Sequence, residues 1–383
     1  MGDTFPMADV PQFVVSDVPM DVYEDIEGLF DTQIPVIDSG PSDDLLVDIM
    51  DSRRTDSDSF ERSDLTLVDV MFEADTDSAL DQDDTSTTTD VDLIWTNAQA
   101  LPNVRIGTVV GSYAGQIMVA TGAGSGGTLT ADAQIFDIGA SVWGTGAIFA
   151  PIRRYASGAV LNGQLYIALG LAPNNQGLAS VVRYNPAQNA WKALLDNPIP
   201  GCCAGAAGVQ ERIWLFGGRL GSATVQSFSP SQGVWITHTS MPVGASFPAV
   251  VSDPAGEYIY VFGGTTADTP DGGITHGMSQ RYSISTDEWT LLEPMPDVRA
   301  SAAAVSLPGA IWVLGGETDQ LPAQSSVYVY SPNDGTWAEA PPMPRARSRH
   351  GAAVVSGAIY LVGGLDENKV PITAVDVGIV DSD

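Results

Sequence analysis

The sequence predicts an all-β chain that folds as a six-bladed β-propeller, and two signals that recur together carry the prediction. The first signal is a short β-branched and aromatic run that ends at paired glycines. Its clear copies are Ile213–Gly218, Ile259–Gly264, Ile311–Gly316 and Ile359–Gly364, and two weaker copies are Ile117–Gly122 and Leu165–Gly170. Measured on the last glycine, successive copies are 48, 48, 46, 52 and 48 residues apart. A period of roughly 40 to 50 residues is typical of propeller blades.

We call each copy of the first signal a glycine mark. The second signal is an aromatic residue seven places before a tryptophan, and it follows every glycine mark except the last. The pairs are Phe136 and Trp143, Tyr184 and Trp191, Phe228 and Trp235, Tyr282 and Trp289, and Tyr330 and Trp337. Turn-forming residues separate the two members, so each pair is predicted to bridge two strands across a hairpin. Each period then holds four strands. The glycines predicted to be structural are Gly217, Gly218, Gly263, Gly264, Gly315, Gly316, Gly363 and Gly364.

The sixth period lacks its tryptophan, because the chain stops at Asp383. Trp95 lies 48 residues before Trp143, in a segment without a glycine mark of its own. We therefore expect residues 91–102 to supply the fourth strand of the last blade and to close the ring, which removes exposed sheet edges. The expected blades are about 103–150, 151–199, 200–241, 242–296, 297–344 and 345–383, with residues 1–90 outside the propeller.

Paired glycines at the end of the second strand, followed by spaced tyrosine and tryptophan, resemble the kelch repeat. The resemblance covers residues 91–383, and four of the six copies keep both glycines. It implies a galactose-oxidase-type central domain. The copper site of such oxidases needs a cysteine cross-linked to tyrosine and two histidines, whereas His238, His276 and His350 fall in three different blades. We therefore expect no copper, no other metal and no cofactor.

Other enzyme signatures are weak. Ser331–Trp337 resembles the Asp-box of sialidases, but it is one residue short and stands where the repeat needs a turn. No phosphate loop, dinucleotide motif or Ser-His-Asp signature is evident, and no catalytic residue is predicted. A sugar-isomerising enzyme similar to the kelch-type sialate mutarotase remains an alternative, because its chemistry needs few polar groups in the channel.

The negative charge is concentrated near the start of the chain. Residues 1–95 have a net charge of −23 and the remaining 288 residues a net charge of −8. Nucleic acid is an unfavourable partner for such a chain, since phosphate binding needs clustered Lys and Arg. Acids alternate with short apolar clusters in residues 1–90, an acidic arm expected to be mostly irregular. It is either a solubilising tail or a set of short motifs that fold on a partner or mediate self-association.

The chain has two cysteines, Cys202 and Cys203, and adjacent cysteines rarely bridge each other. Buried thiols are therefore the expectation, with a redox or metal role as the alternative. Met1–Gln12 carries no positive charge and no long apolar core, and no membrane-spanning run is present. These features predict a cytoplasmic location, with an extracellular or cell-surface location as the alternative if the start of the chain has been trimmed.

Arginines recur near the start of the predicted innermost strands. Arg105, Arg154, Arg299 and Arg349 lie eleven to thirteen residues before the second position of their glycine mark. They are predicted to surround one opening of the channel, where guanidinium groups would bind an acidic peptide, including the chain's own arm. The alternative is a structural role in pairing with the next blade. The loop of residues 265–279 is the longest and contains His276, and His350 follows Arg349. The predicted ligand-binding residues are Arg105, Arg154, Arg299, Arg349, His276 and His350.

The function predicted from these features is non-catalytic protein binding or scaffolding through loops at the channel openings. A carbohydrate-active enzyme and an assembly subunit held by its arm are the alternatives. An enzyme should have polar and charged side chains converging deep in the channel. A scaffold should have apolar or arginine patches at the rim.

Overall fold

A computed structural model describes residues 93–266 and 273–380. It confirms the predicted fold class. Six antiparallel four-stranded sheets follow one another along the chain, and their first strands contact each other in a closed ring around a central channel. The acidic arm and its predicted binding roles lie outside the described residues. None of the described helices has the length and apolar character that a membrane crossing requires.

The blades are built from strands in chain order. Blade 1 comprises β2 (Val109–Tyr113), β3 (Gln116–Ala120), β4 (Asp132–Asp137) and β5 (Val142–Ile148). Blade 2 comprises β6 (Ser157–Leu161), β7 (Gln164–Ala168), β8 (Val181–Asn185) and β9 (Ala190–Ala193). Blade 3 comprises β10 (Ala204–Val209), β11 (Arg212–Gly217), β12 (Val225–Ser229) and β13 (Val234–Thr237).

The second half of the ring repeats this order. Blade 4 comprises β14 (Ala249–Ser252), β15 (Tyr258–Thr265), β16 (Thr275–Ser283) and β17 (Glu288–Leu292). Blade 5 comprises β18 (Ala303–Leu307), β19 (Ala310–Leu314), β20 (Val327–Ser331) and β21 (Thr336–Ala340). Blade 6 comprises β22 (Gly351–Val355), β23 (Ala358–Val362), β24 (Val375–Val380) and β1 (Leu93–Ala98). Short 3-10 turns span Ser125–Gly127, Pro186–Gln188 and Arg219–Gly221.

The N-terminal strand closes the ring, as the position of Trp95 predicts. β1 pairs antiparallel with β24, and Trp95 lies opposite Gly378. In the other five blades an aromatic ring occupies the place of Gly378, 4.9–5.1 Å from the blade's tryptophan. A Cβ at Gly378 would lie only 3.0 Å from the Trp95 ring. In blade 6 the Trp95 ring therefore lies directly over Gly378, in space that a side chain at this position would need.

Filling this space tests the closure. We expect Gly378→Val to lower the free energy of unfolding by about 1–3 kcal/mol, because overpacking displaces Trp95. Gly144→Val is the matched control, since a Cβ at that outer-strand glycine meets only the Ile135 carbonyl oxygen at 3.8 Å. Urea unfolding of the two variants measures the difference. Equal losses would mean that Trp95 does not pack against Gly378.

The tryptophans also tie each blade to the one before it. Every one of these indole N–H groups donates to a backbone carbonyl in the preceding blade's outer strand or in the loop after it. Trp95 donates to Pro341 O of blade 5, and Trp143 donates to Gln99 O beside the closing strand. The hydrogen bonds form a closed series, so the predicted structural tryptophans fill the widening gap between blades and also satisfy their own polar atom.

The glycine pairs make a second closed series of contacts. The N–H of the last glycine in each mark donates to a backbone carbonyl in the segment that enters the first strand of the next blade. Examples are Gly364 to Arg105 and Gly218 to Ala245, both at 2.9 Å. Gly364 has φ +94°, and a Cβ there would lie 2.5 Å from Ser348 O. A side chain at this position would therefore both strain the backbone and separate the blades.

Candidate binding face at the channel mouth

One face of the propeller carries the ends of the second strands and the starts of the first strands. We call it the glycine-pair face, defined by the loops that follow the glycine marks and the segments that enter β2, β6, β10, β14, β18 and β22. The channel opening on this face is called the mouth. Backbone at the mouth comes from all six blades, which contribute Gly107, Tyr155, Cys203, Phe247, Ser301 and Arg349.

These six residues, named here the mouth ring, are joined by a continuous circle of backbone hydrogen bonds. Each N–H donates to the carbonyl of the ring residue in the preceding blade, at 2.7–3.3 Å, and Gly107 closes the circle by donating to Arg349. All six have positive φ, between 53° and 70°. The left-handed conformation is costly for the five that are not glycine, so the mouth holds backbone strain that the surrounding hydrogen bonds maintain.

The side chains of three ring residues narrow the mouth. The Tyr155 and Phe247 rings meet edge to face with centroids 5.3 Å apart. Arg349 donates from Nη1 to the Tyr155 hydroxyl at 3.2 Å and from Nη2 to Glu317 Oε2 at 2.8 Å. Its Nε also donates to Glu317 Oε1 at 2.8 Å. A cavity of about 200 Å³ lies at this opening.

Of the four predicted arginines, the structure places Arg349 in the mouth ring. Arg105 and Arg299 are 0% and 1% exposed and lie inside the blade wall, which corrects the expectation that they face a ligand. They belong to a set of four buried arginines, the arginine clamps, each of which donates to a carbonyl 16 residues later. The clamps are Arg105, Arg153, Arg299 and Arg347. The constant offset of 16 residues is the sequence signal that would have identified Arg153 and Arg347.

The clamps join the end of the second strand to the start of the third within a blade. Arg153 donates to Leu169 O and Ser180 O, both at 2.8 Å. Arg299 donates to Gly315 O at 2.9 Å. Burial lowers the pKa of Arg153 to about 10, so it keeps its charge at neutral pH. Because all four guanidinium groups are buried and donate to groups of their own blade, we assign the clamps a structural role.

Arg154 and Arg349 do reach the glycine-pair face. Arg154 is half-buried and donates to Asn175 Oδ1 at 2.7 Å. The Arg349 charge is balanced by Glu317, whose side chain is only 3% exposed. Of the four predicted arginines, the face therefore receives one that is partly accessible and one that is neutralised, instead of a basic ring. Whether either binds a ligand stays a prediction.

The two predicted histidines are neutral in the folded protein at pH 7. His350 is buried, which lowers its pKa to about 3, and the Arg347 charge adds to the shift. His276 is half-buried, its Nε2 lies 3.4 Å from Gly244 O, and burial lowers its pKa as well. Neither ring adds positive charge to the face. Among the described residues, no three His, Cys, Asp or Glu side chains are grouped as metal ligands.

A serine, a histidine and an aspartate that carry no sequence motif meet between blades 3 and 4. The Ser227 hydroxyl lies 2.8 Å from His238 Nε2, and His238 Nδ1 lies 3.8 Å from Asp287 Oδ1. Sequence reasoning missed this group because only the packing of two blades creates it. Ser227 is fully buried, so a substrate carbonyl has no path to its oxygen. The group is a polar contact between blades.

Cys202 and Cys203 form a disulfide in the structure, which corrects the expectation of two buried thiols. Both residues are buried, at 1% and 3% exposure. Cys203 is the mouth-ring residue of blade 3 and precedes β10. The bridge therefore lies in the wall of the mouth.

The channel behind the mouth is lined mostly by small, uncharged side chains. Toward the opposite face it widens into a cavity of about 630 Å³, lined mainly by Gly, Ala, Val and Ser. Asp253 is the charged residue among those that line this cavity. The small side chains reflect the crowding of six first strands around one axis.

The loops after the glycine marks carry a feature that the sequence prediction did not include. Four consecutive blades each expose one apolar side chain at such a loop, here called the loop tips. They are Leu220 (75% exposed), Ile274 (75%), Leu321 (52%) and Val370 (53%). Leu220 is also held at φ +57°. In the sequence, each loop tip is only an isolated aliphatic residue in a polar loop. The four residues indicate a common surface only when the fold shows that the loops lie on one face.

Comparison with known proteins finds kelch repeats. A family model for the kelch motif matches residues 299–344. Beta-scruin of Limulus polyphemus is 28% identical over 199 residues, covering 48% of this chain and 22% of the relative. Kelch-like protein 35 of Mus musculus is 29% identical over 181 residues, covering 46% of this chain and 29% of the relative. The matches thus span less than a third of the length of these relatives.

The fold also matches a solved structure. The structure of YjhT superposes with a TM-score of 0.62 at 15% identity, covering 73% of this chain and 95% of that one. At this level of identity the match speaks for the shared fold alone.

Proposed function

The chain is a kelch-repeat β-propeller, and we propose that it is a non-catalytic protein-binding module that docks a partner on its glycine-pair face. The observation that carries the proposal is the row of exposed apolar loop tips on four consecutive blades. Apolar side chains gathered on one face of a domain are typical of interaction sites, whereas scattered ones need no explanation. The matches to scruin and Kelch-like proteins support a protein-binding or scaffold role.

The mouth supports this assignment as the centre of the face. Tyr155 and Phe247 are half-buried aromatic residues held by the mouth ring, and aromatic residues anchor many protein interfaces. The ring N–H and carbonyl groups already pair with each other. A partner would therefore engage side chains here and would not add a strand to the backbone of the ring.

The channel lining favours binding over catalysis. An enzyme of the sugar-isomerising kind should place several polar and charged groups deep in the channel, whereas this lining is small and largely uncharged. Arg349 and Glu317 satisfy each other at the mouth. Because two of the predicted arginines are buried and a third is neutralised, apolar contact is a better basis for recognition than attraction of an acidic peptide.

The loop tips can be tested by substitution. We expect the quadruple variant Leu220→Ser, Ile274→Ser, Leu321→Ser and Val370→Ser to lose at least one protein that the wild-type full chain captures from a lysate of its source. Chemical cross-linking with mass spectrometry identifies the captured proteins. The loss follows because each change removes apolar contact area from the interface.

A matched control separates the face from general stickiness. The variant Val142→Ser, Ile148→Ser, Val234→Ser and Ile236→Ser changes four aliphatic residues of outer strands that are 40–74% exposed. It should keep the wild-type partner set. The proposal is overturned if the loop variant captures the same proteins as wild type, or if both variants lose them equally.

A further inference from the structure

We propose that the Cys202–Cys203 disulfide is a two-electron redox site that stiffens the mouth ring and is reducible by a small dithiol. The inference rests on where the bridge lies in the ring of blades. It does not depend on the proposed partner binding.

The bridge occupies one link of the closed circle at the mouth. The Cys203 N–H donates to Tyr155 O at 3.0 Å, and the Cys203 carbonyl accepts from the Phe247 N–H at 2.7 Å. Cys203 therefore joins the two residues whose aromatic rings narrow the opening. A change in the conformation of Cys203 is transmitted directly to both neighbours.

Blade 3 is also a place where an arginine clamp is missing. Each clamp lies two residues before its mouth-ring residue, as Arg153 precedes Tyr155. The equivalent residue of blade 3 is Gly201, whose carbonyl accepts the N–H of Gly170 in the way that the Arg153 carbonyl accepts that of Gly122. No guanidinium fixes this segment, and the covalent bond between the next two residues adds to the backbone hydrogen bonds that hold it.

The chemistry is ordinary thiol–disulfide exchange. A thiolate of the dithiol attacks Cys203 Sγ, the S–S bond breaks, and its electron pair passes to Cys202 Sγ, which takes up a proton. The second thiolate of the reductant then attacks the reductant's own sulfur in the mixed disulfide and releases Cys203, which is protonated to the thiol. The protein gains two electrons and two protons, and the dithiol becomes a cyclic disulfide.

Access comes from the mouth. Cys203 lines the cavity of about 200 Å³, although its exposed fraction is only 3%. Attack in the folded protein then requires local opening of the mouth and not global unfolding. After reduction, two sulfurs that shared a bond must separate to van der Waals contact inside a packed wall, which loosens the ring link at Cys203.

The experiment uses the full chain, oxidised with glutathione disulfide and then divided, one half being reduced under native conditions with dithiothreitol. N-ethylmaleimide labelling after denaturation, followed by intact mass measurement, should count no free thiol in the oxidised half and two in the reduced half. Hydrogen exchange followed by mass spectrometry should show the Cys203 and Phe247 amides exchanging roughly fivefold faster after reduction. The Gly107 and Arg349 amides, on the other side of the ring, should keep their rates.

The double variant Cys202→Ser and Cys203→Ser is the control, and its exchange should not respond to dithiothreitol. Should it fail to fold, the comparison of oxidised and reduced wild type still decides the matter. Two free thiols that persist after glutathione disulfide treatment would overturn the proposal. So would exchange at Cys203 and Phe247 that is unchanged by reduction, or that rises equally at all ring amides.

Discussion

Asp376→Ala is expected to lower the free energy of unfolding by about 3–5 kcal/mol, the loss typical of removing one partner from a buried ion pair. The Asp376 and Arg347 side chains are both 0% exposed, and the Arg347 guanidinium donates to the Asp376 carboxylate. Arg345 Nε approaches the same carboxylate oxygen at 3.1 Å. The substitution leaves the clamp charge buried without its anion, because the other hydrogen bonds of Arg347 go to the neutral carbonyls of Gly363 and Ala374.

The site matters because it lies in the blade that closes the ring. Asp376 is in β24, the strand that pairs with β1, and Arg345 also donates to Asn97 of β1 at 3.3 Å. Urea unfolding at pH 7 measures the loss. The double variant Asp376→Leu and Arg347→Leu should lose less than Asp376→Ala, since it removes the charge together with its partner. If the double variant loses as much as the single variants Asp376→Leu and Arg347→Leu lose together, the pair is not coupled.

The second large effect is a pH dependence of stability that comes from His350. Burial and the nearby Arg347 charge lower its pKa to about 3 in the folded protein, against an ordinary value of 6.5. Between these values the unfolded chain binds a proton that the folded chain does not bind. The contribution of His350 is therefore fully present above pH 6.5 and is lost as the pH falls toward 3, by about 1.4 kcal/mol for each pH unit.

The prediction is measured as a difference between two proteins. Relative to His350→Leu, wild type should lose about 2 kcal/mol of unfolding free energy between pH 7 and pH 5, because leucine does not titrate. The many carboxylates are common to both chains, so their titration largely cancels in the difference. Any change that leucine makes to the packing shifts the whole curve and leaves its slope with pH alone. Parallel curves for the two proteins would contradict a buried neutral His350.

Periodicity was sufficient to predict the architecture. The glycine marks and tryptophans recur because each blade repeats the same contacts with its neighbours, so a local pattern reports a tertiary role. Trp95 could be assigned to the last blade for the same reason, since its distance from Trp143 equals one period. The absence of an aromatic partner in the sixth repeat was visible in the sequence, and Gly378 explains it only in the structure.

The candidate site was predicted less well, because a difference of one or two positions in the sequence decides whether an arginine is buried or lies at the mouth. Arg347 lies in the wall and Arg349 at the mouth, although both fall near the start of the same inner strand. The prediction selected arginines by their distance before the glycine mark and allowed a range of two residues. It therefore grouped buried clamps together with a residue of the mouth. The Arg349 contact with Tyr155 joins residues 194 positions apart, and no local pattern encodes it.

The order of amino acids was enough to establish the repeat, the number of blades and the strand that closes the ring, since these follow from contacts that every blade makes in the same way. The folded molecule was needed to show which arginines are buried, which carboxylate neutralises Arg349, that Cys202 and Cys203 are bonded, and that four loop tips share one face. The physical reason is that these features arise where different blades meet, and there each blade differs from the others.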